Sequence, residues 1–195
     1  MYPKETFILT GIFLILLLIL VTIRNLRSKD YTLFFWFCEI SPIILSIGFL
    51  TENIQLIKSV INIGLFPQIV SLVFLTIAVL FKQDVSVFKG IRKKGKLYIT
   101  VSYLLHLFSV ILAFILTSSF RATRISLVYS FIILSIVFTL SILFTPAHRN
   151  INFVQNLDFL NFKHRFYKYF WIAKSFILIV IPTYYLQNYL TSLLG

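Results

Sequence analysis

The chain holds a single cysteine, Cys38, and that scarcity excludes an internal disulfide, a CxxC redox pair and a thiolate metal cluster. Its three histidines, His106, His148 and His164, include no two at ligand spacing on one helix. Neither a zinc site nor a doubly ligated haem is therefore expected, and no metal or cofactor is anticipated. Glycine-rich phosphate loops, serine-hydrolase elbows and paired acids at catalytic spacing are all missing. No Asn-x-Ser/Thr sequon occurs, so glycosylation gives no clue to location. Acidic residues are few: six Asp and Glu stand against eighteen Lys and Arg, for a formal net charge of +12.

What the chain has in excess is apolar length. With 59% hydrophobic residues, 22 phenylalanines and a mean hydropathy of +0.94, it carries more apolar surface than a water-soluble domain of 195 residues can hide. Six apolar stretches, near residues 7–23, 31–50, 60–81, 97–118, 125–145 and 170–190, are each long enough to cross a bilayer. The expected fold is an all-α polytopic membrane bundle of six helices, one integral membrane domain over residues 1–195. In the first stretch the basic residues follow the apolar run and no small-x-small cleavage site comes after it. That order reads as a retained helix and not a signal peptide.

The charges are sorted between alternate gaps. The first, third and fifth gaps hold Arg24, Arg27 and Lys29; then Lys82, Lys89, Arg92, Lys93, Lys94 and Lys96; then Arg149, Lys163, Arg165 and Lys168. The opposite side holds only Lys4, Lys58, Arg121 and Arg124. Basic gaps stay on the cytoplasmic side, which places both termini outside and the protein in the plasma (cytoplasmic) membrane as a multi-pass chain. The positive charge thus points to anionic lipid headgroups as partners, at about 1 kcal/mol per residue near the surface, and not to nucleic acid. The abundance of Phe, Ile, Leu, Lys and Asn suggests an AT-rich bacterial genome.

Along the chain, residues 52–63 alternate apolar Ile54, Ile57, Val60 and Ile61 with polar Glu52, Gln55, Lys58 and Ser59, which predicts a short helix lying on the outer surface. The gap 146–169 mixes Phe153, Phe159, Phe162, Phe166 and Tyr167 with Lys163, Arg165 and Lys168 and is expected to rest on the cytoplasmic headgroups. Pro146 should end the fifth helix. Small and polar residues form stripes on three stretches: Cys38, Ser41, Leu45, Gly48; Gly64, Gln68, Ser71, Ala78; and Ser102, His106, Ser109, Ala113, Thr117. Such stripes are the expected seams between membrane helices.

Ionisable groups within apolar spans are costly, about 2.5–3.5 kcal/mol each, and by default mark function. Glu39, His106 and Lys174 are the ones here, with Cys38 beside Glu39. Counted from the cytoplasmic ends of their spans at a rise of about 1.5 Å per residue, Lys174 sits about 6 Å deep, Glu39 about 12 Å and His106 about 14 Å. These four share one half of the bilayer. Cys38 and His106 would form a nucleophile–base pair if their helices are neighbours. Glu39 would then orient the imidazole, or Lys174 would stabilise a developing oxyanion. The bland alternatives are a snorkelling Lys174, a Glu39–Lys174 pair joining two helices, a hydrogen-bonded His106 and an inert Cys38.

The order of an aromatic-rich segment with the thiol (FFWFCEIS), a later one with the imidazole (YLLHLFSVIL), the segment RNINFVQ, and YKYFW leading to IVIPTYY resembles the YwaF-like integral membrane proteins. These are similar to animal transmembrane acyltransferases that use an intramembrane Cys and His on phospholipids. The family has a His two positions before its Cys, where this chain has Trp36, and a Gly-Pro-Trp-Pro run where this chain is basic. The resemblance implies Cys38 as nucleophile and His106 as base in a lipid-active acyltransferase or hydrolase. Two other readings stay open: a small transporter using Glu39 and His106, and a non-catalytic membrane partner protein.

Overall fold

The computed structural model describes residues 4–82, 91–154 and 167–194, and among these every regular element is helical. The order is α1 (Lys4–Ser28), α2 (Phe37–Leu50), α3 (Ile54–Leu80), α4 (Lys96–Phe108), α5 (Val110–Leu116), α6 (Arg124–Phe144), α7 (Trp171–Ser175) and α8 (Ile181–Leu194). Helices α4 and α5 form one rod broken at Ser109, whose hydroxyl donates back to the Leu105 carbonyl at 2.6 Å, a bond that bends helices. Helices α7 and α8 are joined through a π-helical turn, Phe176–Val180, directly ahead of Pro182. Pro182 has no N–H and its ring crowds the preceding turn, and the wider π turn takes up that misfit.

Five rods are long and apolar enough to cross a membrane: Lys4–Ser28, Ile54–Leu80, Lys96–Leu116, Arg124–Phe144 and Tyr167–Leu193. Their outward faces are apolar, with Leu9, Leu16, Leu143, Leu178 and Leu193 exposed, while the interior combines an apolar core with many buried Ser, Thr, Asn and Gln. Rods of this length with so apolar an outside are suited to hydrocarbon as solvent, which marks a membrane protein.

The stretch 31–50 folds differently from a continuous span. A 3₁₀ turn, Tyr31–Phe35, precedes a 14-residue α2. Asp30 caps the turn by accepting from the Thr32 amide at 3.2 Å. Asn152, from beyond α6, fixes the start of α2, accepting from the Phe37 amide and donating to the Phe35 carbonyl, both at 2.7 Å. Cys38 and Glu39 consequently lie in the first turn of α2 and not two turns into a span.

The helix expected on the surface at 52–63 is instead the buried beginning of α3. Asn53 caps it, accepting from the Leu56 amide at 3.0 Å, and Ile57 to Leu65 are all buried, Lys58 included. Its two faces do not divide between lipid and water because both are covered by neighbouring helices. Pro146 behaves as expected, following the end of α6 at Phe144. Most of the segment expected on the headgroups, 155–166, and much of the basic third gap, 83–90, lie outside the described residues.

The three stripes face the interior. Ser102, His106, Ser109, Ala113 and Thr117 are all buried, as are Gly64, Gln68 and Ala78. At Gly64 the approach is close: a Cβ there would meet Phe37 Cε1 at 2.7 Å and Val110 Cγ2 at 2.9 Å, so the missing side chain lets α2 and α5 pack tightly on α3 at this point. Helix α2 is held between α1 and α3 and also touches α4.

Candidate functional site

Three irregular helices meet around a cavity of about 320 Å³. Pro42 lies within α2, Pro67 lies within α3, and the π turn lies between α7 and α8. Because Pro42 has no N–H, the Cys38 carbonyl loses its helical partner, and the Ser41 hydroxyl donates to that oxygen at 3.1 Å. The cavity wall includes Cys38 from α2, Pro67 and Gln68 from α3, Asn152 and Phe153 from the segment after α6, and Lys174 from α7. Aromatic rings and aliphatic side chains make up nearly all the rest.

Asn150, Asn152 and Phe153 adopt left-handed backbone conformations, with φ of 45°, 53° and 55°. Asparagine adopts this conformation readily, whereas Phe153 does so only because its surroundings hold it there. Asn152 supplies the hold: besides the bonds of its side chain to the start of α2, its Nδ2 donates to Ser141 Oγ at 2.9 Å, and its backbone carbonyl accepts from Trp171 Nε1 at 3.1 Å. The segment thereby ties α2, α6 and α7 together beside the cavity.

The four residues singled out from sequence fall into three environments. Cys38 and Lys174 share the cavity wall. The Lys174 amine donates to the Tyr167 hydroxyl and lies 4.4 Å from the centre of that ring. His106 is 5% exposed and stands next to Gln68, with its Nδ1 hydrogen-bonded to Gln68 Oε1. Gln68 is itself 2% exposed, lines the cavity, and its Nε2 has no hydrogen-bond partner among the described residues.

Glu39 belongs to a separate cluster, and its ion-pair partner is Arg24 of α1 and not Lys174. Asn25 Nδ2 donates to the second Glu39 oxygen at 3.2 Å. The guanidinium also donates to Asn25 Oδ1 at 2.8 and 3.0 Å and to Ser102 Oγ at 3.0 Å, and it lies 4.9 Å from the centre of the Tyr98 ring. Arg24 is 4% exposed, although its place after an apolar run made it a loop charge by sequence. The sequence signal for this pair is topological: a short connection between two helices makes them antiparallel neighbours, so the last turn of the first meets the first turn of the next.

A third buried cluster was not visible in the sequence. Gln187 of α8 donates from Nε2 to Asn62 Oδ1 at 2.6 Å, and Asn62 Nδ2 donates to Ser126 and Ser130 of α6, both at 3.3 Å. Lys58 lies in this cluster fully buried. Among the described residues its Nζ and the Gln187 Oε1 have no hydrogen-bond partner. No group of three or more His, Cys, Asp or Glu that could hold a metal ion occurs among the described residues.

Chemically, the cavity offers a thiol, an amine, the hydroxyls of Ser71 and Ser175 and one unused amide donor inside a mostly apolar enclosure. That combination suits an amphiphile with a long apolar part and a single polar group. No protein family, curated protein or solved structure matches this chain.

Proposed function

We propose that the protein takes the acyl chain of a membrane lipid into the cavity and transfers the acyl group through Cys38. The observation that carries this reading is the position of the chain's sole thiol in the wall of an apolar cavity, within a bundle whose outer face is apolar. In the reaction, the Cys38 thiol gives its proton to the unprotonated form of the Lys174 amine as sulfur attacks the ester carbonyl. An S–C bond forms, the ester C–O bond breaks, and Lys174 returns the proton to the departing alkoxide. A thioester on Cys38 and a free alcohol result; water or a second hydroxyl compound then cleaves the thioester. Lys174 takes the base role that sequence order suggested for His106, because Lys174 shares the cavity wall with the thiol. The likeness to the YwaF-like proteins supports the same nucleophile.

The setting belongs to the same proposal. The chain crosses the cytoplasmic membrane six times, α2 with its preceding 3₁₀ turn making the short crossing, with both ends outside and the basic gaps on anionic headgroups.

The test is labelling of membranes containing the protein with an alkyne-tagged fatty acyl ester. Wild type should acquire a hydroxylamine-labile tag, Cys38→Ser should acquire none, and Lys174→Met should acquire it at least tenfold more slowly. A tag that survives in Cys38→Ser would remove the thiol from the reaction.

A further inference from the structure

Resting on that reading of the cavity, we infer that Gln68 is the group that recognises the ligand's carbonyl oxygen, and that His106 is the positioning residue that holds Gln68 to this task. A primary amide has one acceptor end and one donor end. In Gln68 the acceptor end is occupied, since Oε1 is bonded to Nδ1 of His106. That oxygen can only accept, so the nitrogen bonded to it must be a donor: His106 carries its proton on Nδ1 and donates it. The donor end, Nε2, is then left facing no protein acceptor among the described residues, on a side chain that is 2% exposed and lines the cavity. An amide N–H buried in apolar surroundings without a partner is costly, and a ligand that brings an acceptor removes that cost.

The rest of the wall narrows the acceptor's chemistry. The mostly apolar enclosure favours a neutral oxygen joined to a hydrocarbon chain. Asn152, the other amide at the wall, already spends its oxygen on the Phe37 amide and its nitrogen on the Phe35 carbonyl and Ser141. Gln68 is thus the amide in this wall with a donor to give. An acyl carbonyl is the acceptor that fits. During attack by the Cys38 sulfur its oxygen gains negative charge, and a fixed N–H donor stabilises that charge more than it stabilises the resting carbonyl. His106 contributes without touching the ligand. By holding Oε1 it prevents the amide from turning over and presenting an oxygen to the ligand's oxygen.

The probes are a long-chain methyl ketone, which keeps the carbonyl but cannot be cleaved, and the alkane of equal length. Binding of each is measured by competition with a photoactivatable alkane on the full-length protein in lipid nanodiscs. Wild type should prefer the ketone by about tenfold, the worth of one buried hydrogen bond. Gln68→Leu, which has no donor, should lose that preference. His106→Leu should lose most of it, and His106→Asn, which can still donate to Oε1, should restore part of it. In wild type alone, and independent of any variant's folding, the ¹³C-ketone stretch should shift below its frequency in hexane on binding. A ketone preference that persists without Gln68, or an unshifted stretch in wild type, overturns the assignment while leaving the acyl-binding cavity intact. If neither ketone nor alkane binds to wild type, the cavity reading and this one fall together.

Discussion

Two buried polar clusters occupy opposite ends of the bundle and treat charge in opposite ways. At the first turn of α2, Arg24 and Glu39 neutralise each other, and Asn25, Ser102 and the Tyr98 ring take up the remaining hydrogen-bonding capacity. At the start of α3, Lys58 is buried completely, yet neither its amine nor the nearby Gln187 Oε1 has a partner among the described residues. The first arrangement is closed: every charged atom has a counterpart supplied by α1, α2 or α4. The second is open, and in a low-dielectric interior an open polar group is a cost that packing must offset. Burial alone therefore says little about a charge; its partners decide whether it holds the fold or strains it.

The sharpest way to break this contrast is to remove one half of the closed pair. Glu39→Ala leaves Arg24 buried without a counter-charge and should cost about 3–5 kcal/mol, read as the change in unfolding free energy on titrating SDS into mixed micelles. Replacing both, as Arg24→Met with Glu39→Leu, should recover most of that loss, because the penalty comes from the orphaned charge. A double variant as unstable as the single one would show that the pair contributes a net attraction beyond mutual neutralisation.

The open cluster should respond with the opposite sign. Lys58→Met keeps the length of the stem and removes an amine with no partner, so stability should rise by about 1–3 kcal/mol in the same titration. A loss of stability would mean that the amine is satisfied by bound water, and the two clusters would then be alike.

These two clusters also show where sequence stops being informative. Lys58 sits at i and i+4 to Asn62 within a pattern that alternates apolar and polar residues, and by periodicity alone that is a surface helix. Its burial comes from α6 and α8, whose contributions Ser126, Ser130 and Gln187 lie more than sixty residues away. Periodicity describes the faces of one helix but not what covers them. The long rods were legible because hydrocarbon sets their length and composition. The seams were legible because close approach needs small residues, as Gly64 shows. The short α2 was not, because the bonds that fix its start come from Asn152, 115 residues on. The candidate site divides in the same way: Cys38 and Lys174 were marked by their type and depth, whereas the unused donor of Gln68 is apparent only once His106 is seen against its other end.

Within the closed cluster a smaller cut tests whether each bond to the guanidinium counts. Ser102 accepts from Arg24 Nη1 at 3.0 Å while its hydroxyl donates to the Tyr98 carbonyl at 2.8 Å. Ser102→Ala removes the acceptor and leaves one N–H of a buried cation unbonded, with an expected loss of about 1–2 kcal/mol. An unchanged unfolding midpoint would mean that Arg24 relaxes onto Asn25 and Glu39 and that the cluster holds more acceptors than it uses.

The smallest effect should come from the ion pair that most resembles Arg24–Glu39 in chemistry and least in setting. Lys4 and Glu52 approach to 2.8 Å at the ends of α1 and α2, but their side chains are 69% and 47% exposed. Water and salt screen such a pair, and holding two long side chains in one geometry consumes most of what the attraction supplies. Lys4→Gln should leave the unfolding midpoint where it was, and raising the salt concentration should not move wild type relative to the variant. If the midpoint falls measurably at low salt, the end of the bundle bearing Lys4 is drier than its exposure implies, and distance would then rival burial in deciding which ion pairs hold this protein together.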